Sequence, residues 1–118
     1  METINSGEFW LAKFKFAEDD RDKIRPVLVL DVKPYGIEVA YCSTQKMDKA
    51  FPCEVVLSKE ESLSVGLDKQ GRIDFGKRQW LPISDFDHKI GQLGQPGERL
   101  SKQKFRELAM AANAAGLV

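Results

Sequence analysis

Histidine and cysteine are scarce in this 118-residue sequence: His88 is its one histidine, and Cys42 and Cys53 are its two cysteines. There is no Cys-x-x-Cys pair, and a zinc site would have to be completed by carboxylates, so neither a metal centre nor a cofactor is expected. In a reducing compartment the two cysteines read as small buried thiols rather than a disulfide. Neither sign of charge prevails. Eighteen Lys plus Arg balance eighteen Asp plus Glu, with nine basic against ten acidic residues up to Lys59 and nine against eight beyond it. There is thus no basic arm or acidic tail, and any anion site has to be local. Long apolar runs are missing too. The longest, Pro26–Leu30, is five residues, against the ~18 of a membrane-spanning candidate. The opening METINSGEF has neither a basic lead nor an apolar core followed by small residues, so a cytoplasmic protein is expected. No glycine-rich phosphate loop occurs, and neither Ser43 nor Ser84 has a histidine at a readable spacing, which withdraws support from the enzyme classes built on those motifs.

What is present is a succession of short extended segments followed by one helix. Between Glu8 and Phe16 the apolar Trp10, Ala12, Phe14 and Phe16 alternate with Lys13 and Lys15, the two-residue period of a strand with one buried face. The acidic stretch from Glu18 to Asp22 reads as an exposed loop. Pro26–Leu30 suits a strand covered on both faces, hence the centre of a sheet. After a turn at Lys33–Gly36, Ile37, Val39 and Tyr41 alternate with Glu38, Ala40 and Cys42 as the returning arm. Further extended pieces are predicted over Phe51–Leu57, Arg72–Phe75 and Gln79–Ile83, with Gly76 between the last two and Pro82 favouring an edge. Lys59, Glu60 and Glu61 open a loop or a single helical turn toward Gly66.

The C-terminal helix has the clearest signature. Ser101 is a good N-cap, Leu100 can staple onto Phe105, and Phe105, Leu108, Ala109 and Ala112 recur at helical spacing before Gly116 ends the helix. The basic residues Lys102, Lys104 and Arg106, interleaved with Glu98 and Glu107, read as a solvated face. About six short strands and one terminal helix predict a single domain over residues 1–118 that is mainly β. It would be a small, strongly bent antiparallel sheet or partly open barrel over about 7–95, with a helix over about 101–115 covering an end or an edge.

Three constellations could carry chemistry. Arg25 stands before Pro26, which drives it into an extended conformation and projects its guanidinium at the mouth of the central strand. There its rigid fork of donors could take a phosphate or carboxylate, or pair with Asp20 or Asp22 on the surface. Ser43, Thr44 and Gln45 close the next strand with hydroxyl and amide groups that can donate to a phosphate oxygen or a base edge, or make an ordinary turn. In Arg72-Ile73-Asp74-Phe75 the strand period puts Arg72 and Asp74 on one face while Ile73 and Phe75 enter the core, which sets a cation beside a carboxylate. A surface ion pair is the bland account of that pair. His88, between Asp87 and Lys89, lies in a polar turn and receives no role.

Taken in order, GEFWLAKF, IRPVLVL, CSTQ, GLDKQGRIDF and LPISDF before KIGQL resemble the MazF/PemK family of type II toxin–antitoxin ribonucleases, which includes the plasmid-maintenance toxin Kid. The likeness runs from Gly7 to Leu93. It implies a small SH3-like barrel with a C-terminal helix, a homodimer, that cuts single-stranded RNA without a metal, arrests growth, and is silenced by a cognate antitoxin. The residues the family ties to cleavage fall on Arg25 and Thr44, and the Arg-x-Asp pair of Kid-type members falls on Arg72 and Asp74. On that basis Asp74 is expected to take the proton of the ribose 2′-hydroxyl, with Arg25 and Arg72 clamping the phosphate. Thr44, Ser43 and Gln45 would donate to the phosphate or the neighbouring base. Tyr35, Phe51 and Trp80 are candidates for base stacking, Trp80 being assigned to substrate binding. Two other readings share the barrel: a CcdB-like toxin that binds DNA gyrase through its C-terminal residues, and a catalytically inactive barrel acting as a protein-interaction or regulatory module.

Overall fold

A computed structural model of the chain describes residues 3–14, 23–43 and 52–116. They form six strands, β1 (Glu8–Lys13), β2 (Ile24–Lys33), β3 (Gly36–Ser43), β4 (Glu54–Leu57), β5 (Gly71–Leu81) and β6 (Phe86–Gln92), with a short helix α1 (Lys59–Ser64) after β4 and a terminal helix α2 (Lys102–Ala114). The strands make one sheet in the order β4-β5-β3-β2-β1-β6, and every pairing is antiparallel. The expected architecture of short antiparallel strands followed by one helix is therefore present. No helix among the described residues is long and apolar enough to cross a membrane.

Because side chains alternate across a strand, the sheet separates two cores. On one face Phe9, Leu28, Ala40, Cys42, Val55, Leu57, Ile73 and Phe75 pack with Leu100, Leu108 and Ala111 around α2. On the other, Trp10, Ala12, Phe14, Val27, Val29, Ile37, Val39 and Leu81 form a second cluster. Each large side chain withdrawn from water here contributes about 1.5–3 kcal/mol. β2 supplies both clusters from the middle of the sheet, as its run of Val and Leu requires. β1 does the same, and here the one-faced expectation fails: Phe9 is as buried as Trp10 and Ala12, because the face that alternation alone leaves to solvent belongs to the cluster that also holds Leu57, Val65, Leu67 and Leu100. Phe16 and the acidic stretch Glu18–Asp22 lie outside the described residues.

The start of β1 is pinned by a buried carboxylate. Glu8 Oε1 accepts from Asn5 N at 2.8 Å and Trp10 Nε1 at 2.9 Å, while Oε2 meets Lys89 Nζ at 3.1 Å. Burial pushes the Glu8 pKa up, but these donors outweigh it and hold the carboxyl below its ordinary value.

Three sequence expectations are corrected. Arg72–Phe75 and Gln79–Ile83 are not separate pieces: β5 runs through Gly76 to Leu81. Pairing with β3 jumps from Ala40↔Arg78 to Tyr41↔Asp74, so Gly76 sits in a bulge rather than at a break. His88 lies on a strand, β6, not in a turn. That strand is polar because it is an edge, paired with β1 alone, and charged side chains suit an edge. On α2 the inward stripe is Leu108 and Ala111 with Ala112 and Ala115, whereas Phe105 and Ala109 are exposed. Lys104 occupies the N-terminal place of that stripe, 20% exposed, and its Nζ donates to Val56 O of β4 at 2.9 Å. It ties the helix to the sheet instead of decorating a solvated face.

The two edges of the sheet meet without pairing as strands. α1, capped by the reciprocal Ser58–Glu61 bonds, leads into Gly66, whose φ is +102°. A Cβ on Gly66 would stand 2.0 Å from Ile90 O of β6, and one on Gly91 would stand 1.8 Å from Val65 O. Only side-chain-free residues permit this backbone contact, which bends the segment following edge strand β4 onto the opposite edge, β6.

Candidate functional site

At the end of the sheet away from the β2–β3 turn, four strands present polar side chains on one face. In register, Ser43 of β3 stands opposite Arg72 of β5, which stands opposite Val56 of β4. One step along, Val27 of β2 pairs with Tyr41, Tyr41 with Asp74, and Asp74 with Glu54. Opposed residues in an antiparallel pair share a face, as do residues two apart in a strand. Arg25, Tyr41, Ser43, Glu54, Arg72 and Asp74 thus share one side, the side of the second cluster. Arg25 and Arg72 arise two strand spacings apart, ~10 Å between backbones, within the combined reach of two arginine side chains.

The contacts agree. The Arg25 guanidinium lies 5.9 Å from the centre of the Tyr41 ring. That ring stacks at 5.1 Å on Phe14, which continues β1 on the same face. Arg72 Nη1 is 3.5 Å from Glu54 Oε2, and these two side chains are only 9% and 6% exposed. Asp74 and Ser43 are buried, while Arg25 and Tyr41 are half-buried, so Arg25 is the site's more accessible cation. Among the described residues, the hydrogen-bond partners of Asp74 both meet Oδ1: Gly76 N at 2.9 Å, and the Cys53 thiol at 3.9 Å. Oδ2 is left to act on something else. Gly76 has no side chain for a reason, since a Cβ there would approach Cys53 Sγ to 2.9 Å and Asp74 Oδ1 to 3.1 Å. Two cations and two carboxylates in a partly water-excluded setting can hold a phosphate and accept a proton next to it.

Of the residues singled out in the sequence, Arg25, Ser43, Arg72 and Asp74 are brought together. Thr44, Gln45 and Phe51 lie outside the described residues. Trp80 is not with the others: it pairs with Glu38, on the opposite face and toward the other end of β3, where its half-exposed ring lies 5.4 Å from that of Tyr35. His88 is exposed, with Nδ1 at 2.6 Å from Asp87 Oδ2. Cys42 is a free thiol buried under α2, where burial pushes its pKa up and makes the thiolate scarce. Sequence reading missed Glu54, the buried partner of Arg72, and Tyr41, the ring against Arg25. An alternating strand marked Tyr41 as apolar; nothing local marks Glu54.

No protein-family model matches the sequence, and no curated protein matches it. Solved structures do. The toxin MazF-mt6 of Mycobacterium tuberculosis is 23% identical and superposes with a TM-score of 0.64 over 94% of this chain and 98% of its own. An endoribonuclease from a mycobacterial species, in complex with its cognate antitoxin, is 13% identical with a TM-score of 0.65 over 98% of each chain. A second mycobacterial endoribonuclease is 15% identical, with a TM-score of 0.64 over 99% of this chain and 95% of its own. The chain has the fold of MazF-type toxins over nearly its whole length.

Proposed function

We propose that the protein is the toxin of a type II toxin–antitoxin pair and cleaves single-stranded RNA, without a metal, by attack of a ribose 2′-hydroxyl on the adjacent phosphate. The observation that carries this reading is the gathering of Arg25, Ser43, Arg72 and Asp74, distant along the chain, on one face of β2, β3 and β5. Asp74 Oδ2 takes the 2′-proton, the 2′-oxygen bonds to phosphorus, and the 5′-oxygen leaves and is protonated by water. Arg25 and Arg72 stabilise the charge that builds on the phosphoryl oxygens. A guanidinium surrenders a proton too reluctantly to serve first as the acid, so both arginines act as electrostatic clamps. Ser43 donates to the phosphate or the flanking base, with Thr44 and Gln45 beside it in sequence. The half-buried Tyr41, stacked on Phe14, is the ring best situated for contact with a base.

The same reading makes the chain one folded domain, a homodimer in the cytoplasm, held silent by an antitoxin. Its test is incubation of the purified protein with a long single-stranded RNA in a chelator, followed by mapping of the ends. The expected result is cleavage at a recurrent sequence, with a cyclic 2′,3′-phosphate on the 5′ fragment and a hydroxyl on the 3′ fragment. Intact RNA at high protein concentration would overturn it.

A further inference from the structure

Arg72 is buried against a carboxylate that neither its own strand nor the residue pattern around it supplies. Glu54 comes from β4, stands directly opposite Asp74 in the β4–β5 register, and brings Oε2 to 3.5 Å from Arg72 Nη1. Arg72 therefore works between two carboxylates on the same face, Asp74 two residues along its own strand and Glu54 across the strand gap. A charge this far from water is strongly oriented by the carboxylates beside it, because a buried charge in a low-dielectric setting is costly unless it is well paired. It is also neutralised by them, so an incoming phosphate meets less positive charge than two free arginines would offer.

We propose that Glu54 is a positioning residue for Arg72: it fixes where the guanidinium meets the scissile phosphate and, by its charge, limits how strongly the site attracts RNA. This rests on the ribonuclease reading above. Two effects follow, and they run in opposite directions. Removing the Glu54 charge raises affinity for RNA while lowering the rate of cleavage, whereas a merely structural residue would lower both.

The experiment uses the full chain and a labelled single-stranded RNA containing one mapped cut site, in a chelator. Binding is measured in an Asp74→Asn background across a salt series, cleavage under single-turnover conditions in the Asp74 background, and folding by thermal melting. Glu54→Gln is expected to bind more tightly and to steepen the slope of log affinity against log salt by up to ~0.7, the increment for one more phosphate neutralised on a single strand. Its cleavage rate is expected to fall at least tenfold, the scale on which a misplaced group acts. Glu54→Asp keeps the charge but draws it back by one methylene, so it should restore the salt slope while the rate stays low. An unchanged rate and slope in Glu54→Gln, or a slower rate accompanied by weaker binding, overturns the proposal. If Glu54→Gln does not fold, Glu54→Asp decides alone: a normal salt slope with slowed cleavage supports the assignment, and a normal rate overturns it. A wild-type protein that neither binds nor cuts RNA sinks the ribonuclease reading and this inference with it. A cutting wild type with contrary Glu54 variants sinks this inference only.

Discussion

The two faces of β5 at Arg72–Phe75 treat alternate residues of one strand in opposite ways. Ile73 and Phe75 enter the dry cluster under α2, while Arg72 and Asp74 turn to the other face and meet Ser43, Tyr41 and Glu54. Both sets are buried, yet one is held by packing and the other by charge. Apolar burial is non-directional and becomes rigid through close packing, whereas a buried carboxylate and guanidinium demand partners at defined places. The packed face thus serves as the rigid backing on which the charged face keeps its geometry.

Replacing one residue on each face separates these roles. On the ribonuclease reading the largest effect is expected for Asp74→Asn, which keeps shape and removes the proposed base: single-turnover cleavage of RNA should fall by about 10²–10⁴, with the melting temperature lowered less than by a core substitution. Its neighbour on the opposite face, Ile73→Ala, should do the reverse. Urea titration is expected to register a loss of about 2–5 kcal/mol, while the rate per folded molecule stays near wild type. A large drop in that rate would mean that the two faces are not separable.

A smaller effect is expected on acidification. The folded-state pKa of Glu8 is depressed, so its contribution to stability is present above the unfolded carboxyl value of about 4.3 and is lost as pH falls through the lower folded value. Melting temperatures measured down that range should decline less steeply in Glu8→Gln than in the wild type. The smallest effect belongs to Trp80→Ala, on the face away from Asp74. Stability is expected to shift by no more than about 0.5 kcal/mol and RNA cleavage to persist, whereas a strong loss of cleavage would restore Trp80 to the site.

Much of this arrangement was legible in the chain itself. The strand period of Arg72–Phe75 correctly assigns the core residues and the polar pair to opposite faces, Arg25 before Pro26 correctly reads as extended, and Ser101 correctly reads as the cap of α2. What stayed hidden depends on pairing between distant segments. Glu54 belongs to the site because β4 lies against β5 in one particular register, and no local pattern encodes a register between strands separated by a helix. β6 was hidden because an edge strand with one neighbour need not be apolar. The inward face of α2 was misjudged because Lys104 occupies a core position with its stem and carries its charge to Val56 O, which a count of apolar residues passes over.

One consequence follows from where β5 lies. It is made after β4 yet inserts between β3 and β4, and its residues Arg72, Ile73 and Asp74 pair with both neighbours at once. A nascent or partly unravelled polypeptide that has formed only the β2–β3 hairpin owns Arg25 and Ser43 but no carboxylate to work with them. Chain segments brought together over such separations close slowly. The cluster of Arg25, Ser43, Arg72 and Asp74 is therefore complete only late in maturation, and on the proposed ribonuclease reading a molecule caught before that point would leave RNA intact.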